Sequence, residues 1–176
     1  MKLSGSAIAA SLSLALLALG LTACGDGGGE SGDATASPAV QRTAKLIRGF
    51  GSEAGGERAK QAEAALHGYL DASVEQRWSD ACSHLSAPFR RSLAALAAQA
   101  ERIEPGNCAG VIKLAIKKLP MAQRAALTAA DVGSVRLEDG QGYVVYADSN
   151  GAEYGMPIEL DAGRVGVAGT AGTPLG

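Results

Sequence analysis

The spacing of apolar residues changes once along the chain, near Asp131. Before this point they recur every three or four positions, which is the helical period; after it they alternate, as they do in strands. The first part predicts four helices, which begin near Glu57, Trp78, Pro88 and Asn107. The second part predicts four strands, at Val132–Leu137, Tyr143–Ala147, about Tyr154–Leu160 and Arg164–Ala168. Helices followed by an antiparallel meander predict an α+β domain, with the helices packed on one face of a curved sheet.

Two local features limit this sheet. Pro157 has no N–H to donate to a neighbouring strand, so the third strand is expected at an edge of the sheet or with a bulge at Pro157. Residues 170–176 contain little that could be buried, and we expect this tail to be disordered. The predicted α+β domain therefore spans residues 57–169.

Composition limits the classes of partner. The chain has 176 residues, enough for one domain and an extension, and 47% of them are hydrophobic. Aromatic residues make up only 4%, so the core must consist mainly of Ala, Val, Leu and Ile. A formal charge of −2 argues against a nucleic-acid partner, because a nucleic-acid-binding protein would present a basic face.

Residues 1–23 have the organisation of a secretory signal peptide. Lys2 provides the positive charge, an uncharged apolar run extends from Ala7 to Leu21, and small residues precede Cys24. The apolar run is shorter than the ~20 residues that a membrane span needs. We therefore expect export, with the mature chain on the extracytoplasmic side of the membrane.

The sequence Leu21-Thr22-Ala23-Cys24 resembles the lipobox of bacterial lipoproteins. The resemblance implies that the Cys24 thiol carries a diacylglyceryl group and that the signal is cut just before it. Each buried methylene contributes ~0.8 kcal/mol, and two or three acyl chains anchor a protein stably. The predicted location is thus the outer face of the cell membrane. The alternative is an ordinary secretory signal with a chance cysteine.

Residues 24–56 are predicted to form the lipidated cysteine followed by a flexible linker or stalk. Residues 25–38 are rich in glycine and lack large apolar side chains, so they cannot bury enough surface to order. Their root-mean-square reach is ~20 Å. The segment Val40–Phe50 mixes basic and apolar residues, which is compatible either with a helix on an anionic membrane surface or with a partly ordered lead-in helix.

Cys82 and Cys108 remain once Cys24 is assigned to the lipid. An even pair in an exported chain favours a disulfide, and both residues lie on the apolar stripes of their predicted helices. The alternative is two buried free cysteines that act as small hydrophobic residues.

The segment from Ala65 to Leu96, the helix after Asn107 and the Val132–Ala168 meander resemble nuclear transport factor 2-like domains of actinobacterial lipoproteins, so the resemblance covers roughly residues 57–169. The carrying features are "YLDA", the Trp78 turn, "ACSHL" and "NCAGVIKLAIKKLP". The resemblance implies a cone in which a curved sheet and helices enclose a pocket. Some members of this family are isomerases or dehydratases, whereas others only bind ligands or partners. The chain departs from the family at "GRVGVAG", where many members have a Trp-X-Val strand.

No catalytic residue is assigned from the sequence. His67 and Asp71, four positions apart on one helix, are the candidates for a general base, and a surface pair is the alternative. The other acid, base or hydroxyl candidates are Tyr69, Asp80, His84, Tyr143, Tyr146 and Tyr154. No metal site is predicted from two histidines, and Asp148–Glu153 lacks the spacing of a calcium loop. No cofactor motif is present.

The sequence therefore favours a membrane-anchored, non-enzymatic lipoprotein that binds a small apolar ligand or an envelope protein. The alternatives are a small pocket enzyme of the isomerase or dehydratase kind and a structural accessory protein of the envelope.

Overall fold

A computed structural model describes residues 37–99, 104, 106–120, 123–124, 127 and 131–176. The signal segment and Leu21–Cys24 lie outside these residues. The helices are α1 Pro38–Arg48, α2 Gly56–Val74, α3 Trp78–Ser83, α4 Ala87–Gln99 and α5 Cys108–Lys118. The strands are β1 Ser52–Glu53, β2 Asp131–Glu138, β3 Gln141–Ala147, β4 Glu153–Asp161, β5 Arg164–Val167 and β6 Thr173–Pro174.

Local sequence signals explain where several helices begin. The Asn107 side chain accepts a hydrogen bond from the Gly110 amide at 2.7 Å, so Asn107 caps α5 as predicted. The Ser86 hydroxyl accepts from the Phe89 amide at 3.1 Å and does the same for α4. The Ser37 hydroxyl lies 3.4 Å from the Val40 amide at the start of α1. These bonds satisfy amides that have no partner within the helix itself.

The strands form one antiparallel sheet in the order β1-β2-β3-β4-β5, and β6 also pairs with β4. The β2–β3 turn and the β4–β5 turn each place two consecutive residues at positive φ, Asp139–Gly140 and Ala162–Gly163. Two consecutive residues at positive φ are typical of a type I′ turn, whose twist matches the twist of the two strands that it joins. The predicted α+β class, with helices followed by an antiparallel meander, is confirmed.

Both faces of the sheet are covered, although the sequence predicted helices on one face only. The main core joins α2, α3, α4 and α5 to one face, through inward side chains such as Val144 and Met156. On the opposite face, α1 places Ala44 and Ile47 against Val145 and Leu175. Strand β3 supplies both cores because its successive side chains point to opposite faces.

The folded unit extends beyond the predicted bounds 57–169 at both ends. It includes α1 and β1 and runs to Gly176. The tail is held by the Leu175 amide, which donates to the Glu153 carbonyl at 2.8 Å, and the Leu175 side chain is buried. The expectation of a disordered tail is therefore wrong, because β6 completes the edge of β4 that β5 leaves open.

Pro157 lies in β4, which is an internal strand and not an edge. Its carbonyl accepts from the Ala168 amide at 2.8 Å, so the nitrogen of Pro157 faces the same side. On that side β5 pairs with residues 158–161 and β6 with residues 154–155. The proline thus occupies the gap between two partner strands, where an N–H is not required.

Helices α3 and α5 are linked by a disulfide between Cys82 and Cys108, whose Cα atoms lie 6.3 Å apart. This is the pair expected from the sequence. Because the bond closes a loop of 26 residues, it contributes about 3.5 kcal/mol in the chain-entropy description.

Candidate functional site

A surface groove lies where the ends of three helical segments meet. It has a volume of about 390 Å³ and is lined by Ser73, Val74, Gln76, Trp78, Ile116, Lys117, Arg124 and Leu127. Binding sites for small molecules commonly have about 300–1,000 Å³ and mainly apolar walls. We refer to these eight residues as the Trp78 groove.

The turn between α2 and α3 positions Trp78 at this groove. Gln76 adopts positive φ, and the Arg77 amide donates to the Ala72 carbonyl at 2.8 Å, which reverses the chain after α2. Arg77 then forms ion pairs with Glu75 and with Asp80, which fix the turn from outside. The indole of Trp78 is left half-buried against the main core.

The groove combines apolar walls with positive charge. Ile116 and Leu127 are buried, whereas Val74 is 48% exposed and offers an apolar surface to solvent. Lys117 and Arg124 also line the groove, and both residues are exposed. Among the described residues, none of those that line it is acidic. The groove therefore suits an apolar molecule that carries an anionic group.

The interior of the domain, where the family resemblance places a pocket, is occupied by side chains. Leu66, Tyr69, Ile112, Met156 and six other large residues are fully buried. They pack together between the helices and the sheet.

The tyrosines predicted as hydroxyl donors serve this packing. Burial raises the pKa of Tyr69, whose hydroxyl donates to the Thr170 carbonyl at 2.9 Å. Burial also raises the pKa of Tyr146, which stacks on Tyr154 with ring centroids 5.6 Å apart. Tyr154 lies near Asp148, and Tyr143 packs against Phe50 on the opposite face of the sheet. Tyr69, Tyr146 and Tyr154 thus belong to the main core, whereas Tyr143 packs on the opposite face of the sheet.

His67 and Asp71 lie towards solvent on α2, outside the Trp78 groove. The His67 imidazole is 39% exposed and lies 3.9 Å from the Glu63 carboxylate, one turn away from Asp71 on the same helix. Asp71 is exposed. A base in a pocket enzyme must reach a bound substrate, and neither side chain is among the residues that line the Trp78 groove.

His84 lies against Gly68 of α2, where a β-carbon would fall within its imidazole ring. Partial burial lowers the pKa of His84, and the positive charge of Arg164 lowers it further. Its carbonyl accepts from the Val167 amide at 3.0 Å, so residue 84 extends the edge of β5. His84 and Asp80 therefore stabilise the fold around α3.

The Asp148 carboxylate does not form half of a calcium loop. It is buried and accepts hydrogen bonds from the Asn150 and Ala152 amides at 2.8 and 3.0 Å. Both amides donate to Oδ1, which thus closes the β3–β4 turn, while Oδ2 lies 3.5 Å from the Tyr154 hydroxyl. Within the described residues, no group of three or more His, Cys, Asp or Glu side chains is arranged to hold a metal ion.

Sequence reasoning did not single out Val74, Ile116, Lys117 or Leu127. They come from three segments that are distant in sequence, and helical periodicity alone does not show which segments end side by side. The one available signal was the single tryptophan of the chain.

Along the described part of the chain, no helix combines the length and the apolar character that crossing a bilayer requires.

Comparison of the chain with models of protein families, with curated proteins and with solved structures gives no match.

Proposed function

We propose that this protein is a lipoprotein anchored by Cys24 to the outer face of the cell membrane, and that its domain binds a small apolar ligand with an anionic group. The Trp78 groove is the observation that carries the binding part of this proposal. Its described lining joins apolar walls to two cations and includes no carboxylate.

The sequence supports the membrane anchor. The Leu21–Cys24 segment has the lipobox pattern, and the glycine-rich residues after it separate the lipid from the domain. The disulfide at Cys82 and Cys108 is consistent with an oxidising compartment outside the cytoplasm. Of the three cysteines, only Cys24 then remains to accept a lipid.

The domain is proposed to be of the nuclear transport factor 2-like type, on the strength of the sequence resemblance and the helices-then-sheet order. The outward placement of His67 and Asp71 favours the non-enzymatic members of that family over the isomerases and dehydratases. It equally supports a structural accessory protein of the envelope, which would leave the Trp78 groove unused.

Lipid attachment is tested by radiolabelled palmitate in cells. We expect incorporation by the wild-type chain and none by Cys24→Ala. Equal labelling of the two chains would reject the anchor.

Ligand binding is tested with a brominated fatty acid, because bromine quenches tryptophan fluorescence at short range. Trp78 is the only tryptophan, so the signal arises from the groove wall. We expect saturable quenching that Val74→Gln weakens about tenfold, since a polar group then enters the apolar wall. The matched control is Leu96→Gln, which changes a residue of similar exposure on α4, outside the groove. Linear quenching, or equal effects of the two variants, would favour the structural alternative.

A further inference from the structure

Helix α1 turns its apolar stripe towards the sheet and its basic residues away from it. Ala44 and Ile47 face the sheet and are 2% and 4% exposed. Phe50, just after the helix, packs edge-on against Tyr143 at 5.4 Å. These apolar residues are therefore not available for insertion into a membrane.

The outward face of α1 carries Arg42, Lys45 and Leu46. Arg42 and Lys45 are exposed, and Leu46 is 73% exposed, the highest value among the exposed large hydrophobic residues of the described chain. The third cation, Arg48, is held by an ion pair with Glu153 of β4. No hydrogen bond or ion pair is found for Arg42 or Lys45 within the described residues, so two cations flank one apolar side chain on a free surface.

We propose that this outward face of α1 rests on an anionic phospholipid surface. The inference rests on the proposed anchor, because Cys24 lies only thirteen positions before Ser37. The glycine-rich sequence between them gives an expected root-mean-square reach of roughly 20 Å. Among the described helices, α1 follows Cys24 most closely along the chain, so the anchor would keep it near the membrane.

A tethered surface needs little intrinsic affinity. A short flexible linker gives an effective concentration in the millimolar range, so weak contacts are sufficient for docking. Each Lys or Arg near an anionic leaflet shifts the balance towards the bound state about fivefold. Leu46 adds apolar contact at the headgroup level. Docking through these charges also leaves α1 packed on the sheet. Insertion of its apolar stripe into the membrane would instead detach the helix from the sheet.

The experiment uses the lipid-bearing chain, purified from membranes and reconstituted into vesicles of phosphatidylcholine with or without phosphatidylglycerol. Lysines are acetylated briefly, and each modification rate is read by mass spectrometry. We expect the rate at Lys45 to fall about threefold or more on the anionic vesicles. Lys60 and Lys113, exposed on helices that cover the other face of the sheet, are internal controls and keep their rates.

Arg42→Glu should restore the rate at Lys45 on anionic vesicles. The matched control is Arg91→Glu, which reverses an exposed charge on α4 and should leave Lys45 protected. Salt at ~1 M, where the Debye length is ~3 Å, should also abolish the protection. An unchanged Lys45 rate on anionic vesicles, or equal protection on neutral ones, overturns the proposal.

A failure of the anchor is distinguished by the mass of the Cys24 peptide. If that peptide carries no lipid, the anchor proposal fails. The chain is then coupled through the Cys24 thiol to a maleimide phospholipid, and the Lys45 rate judges docking alone.

Discussion

The packing of α1 on the sheet can be tested with two neighbouring substitutions. Ile47 is 4% exposed and contacts the small outer core, whereas Leu46, next to it in sequence, is 73% exposed. Changing each residue to Ala removes three carbon atoms from a side chain in the same helix. Only the Ile47 change removes them from a buried contact.

The expected difference follows from these exposures. Three buried carbons contribute about 2.4 kcal/mol at ~0.8 kcal/mol each. A residual cavity adds to this value, and the better helix propensity of Ala offsets about 0.4 kcal/mol of it. We therefore expect Ile47→Ala to weaken the docking of α1 by about 2 kcal/mol. Leu46→Ala should change it by less than about 0.5 kcal/mol, because a surface substitution loses little contact.

Trypsin provides a direct assay for this docking. Residues 24–41 contain no Lys or Arg, so the first cleavable bond after Cys24 is Arg42–Thr43, inside α1. Neither substitution alters that bond. A loss of about 2 kcal/mol corresponds to a roughly thirtyfold higher opening constant, and cleavage at Arg42 should accelerate by that factor.

The result that would refute the reasoning is equal cleavage of the two variants. If Leu46→Ala accelerated cleavage as much as Ile47→Ala, α1 would not bury the face that the structure assigns to it. Cleavage as fast in the wild-type chain as in an unfolded peptide would contradict docking altogether.

Three further predictions concern the fold around β5 and the helices. Gly166→Ala should destabilise the domain by about 1–3 kcal/mol in urea unfolding, because the added β-carbon would lie 2.6 Å from the Ser86 backbone nitrogen. The neutral control is Gly133→Ala, whose added β-carbon would have its nearest contact 3.7 Å away. Replacing Cys82 and Cys108 together with Ala should lower the free energy of unfolding by about 3.5 kcal/mol, and addition of a reductant should lower the stability of the wild type but not of the double variant. The free energy of unfolding should also fall as the pH decreases through ~6.5, the ordinary pKa of histidine. The reason is that burial lowers the pKa of His84 in the folded state, so the unfolded chain binds more protons in this range. His84→Gln should flatten this part of the pH profile, and an unchanged slope would contradict the role given to His84.

The sequence predicted the elements of the main core well because their signals are local. Asn107 caps α5 through its own side chain, and alternation in β4 reports which residues face the helices. The prediction was poorest for Pro157, since its tolerance depends on β5 and β6, which pair with β4 on either side of it. Nothing in the local pattern of β4 indicates that its partner strand changes from β6 to β5 at Pro157.

The candidate site was less predictable than the fold. Val74 and Ile116 are ordinary apolar residues near the C-terminal ends of α2 and α5, and they line a groove only because these two ends lie beside the start of α3. The sequence instead emphasised titratable residues such as His67 and Asp71, whose side chains face solvent. Periodicity identifies the buried face of a helix, but it does not show which helix ends adjoin.

The outer core links the two ends of the folded unit. Ile47 belongs to the first helix and Leu175 to the last residues of the chain, and both pack on Val145 of the central strand β3. Gly155 makes this possible, because a β-carbon there would lie 2.8 Å from the Ile47 side chain. The lead-in helix and the tail therefore depend on each other: removal of either uncovers apolar surface on the remaining one and on β3. A domain cut to residues 57–169 would lose both, so the segments that the sequence assigns to linker and tail are part of what keeps the sheet covered.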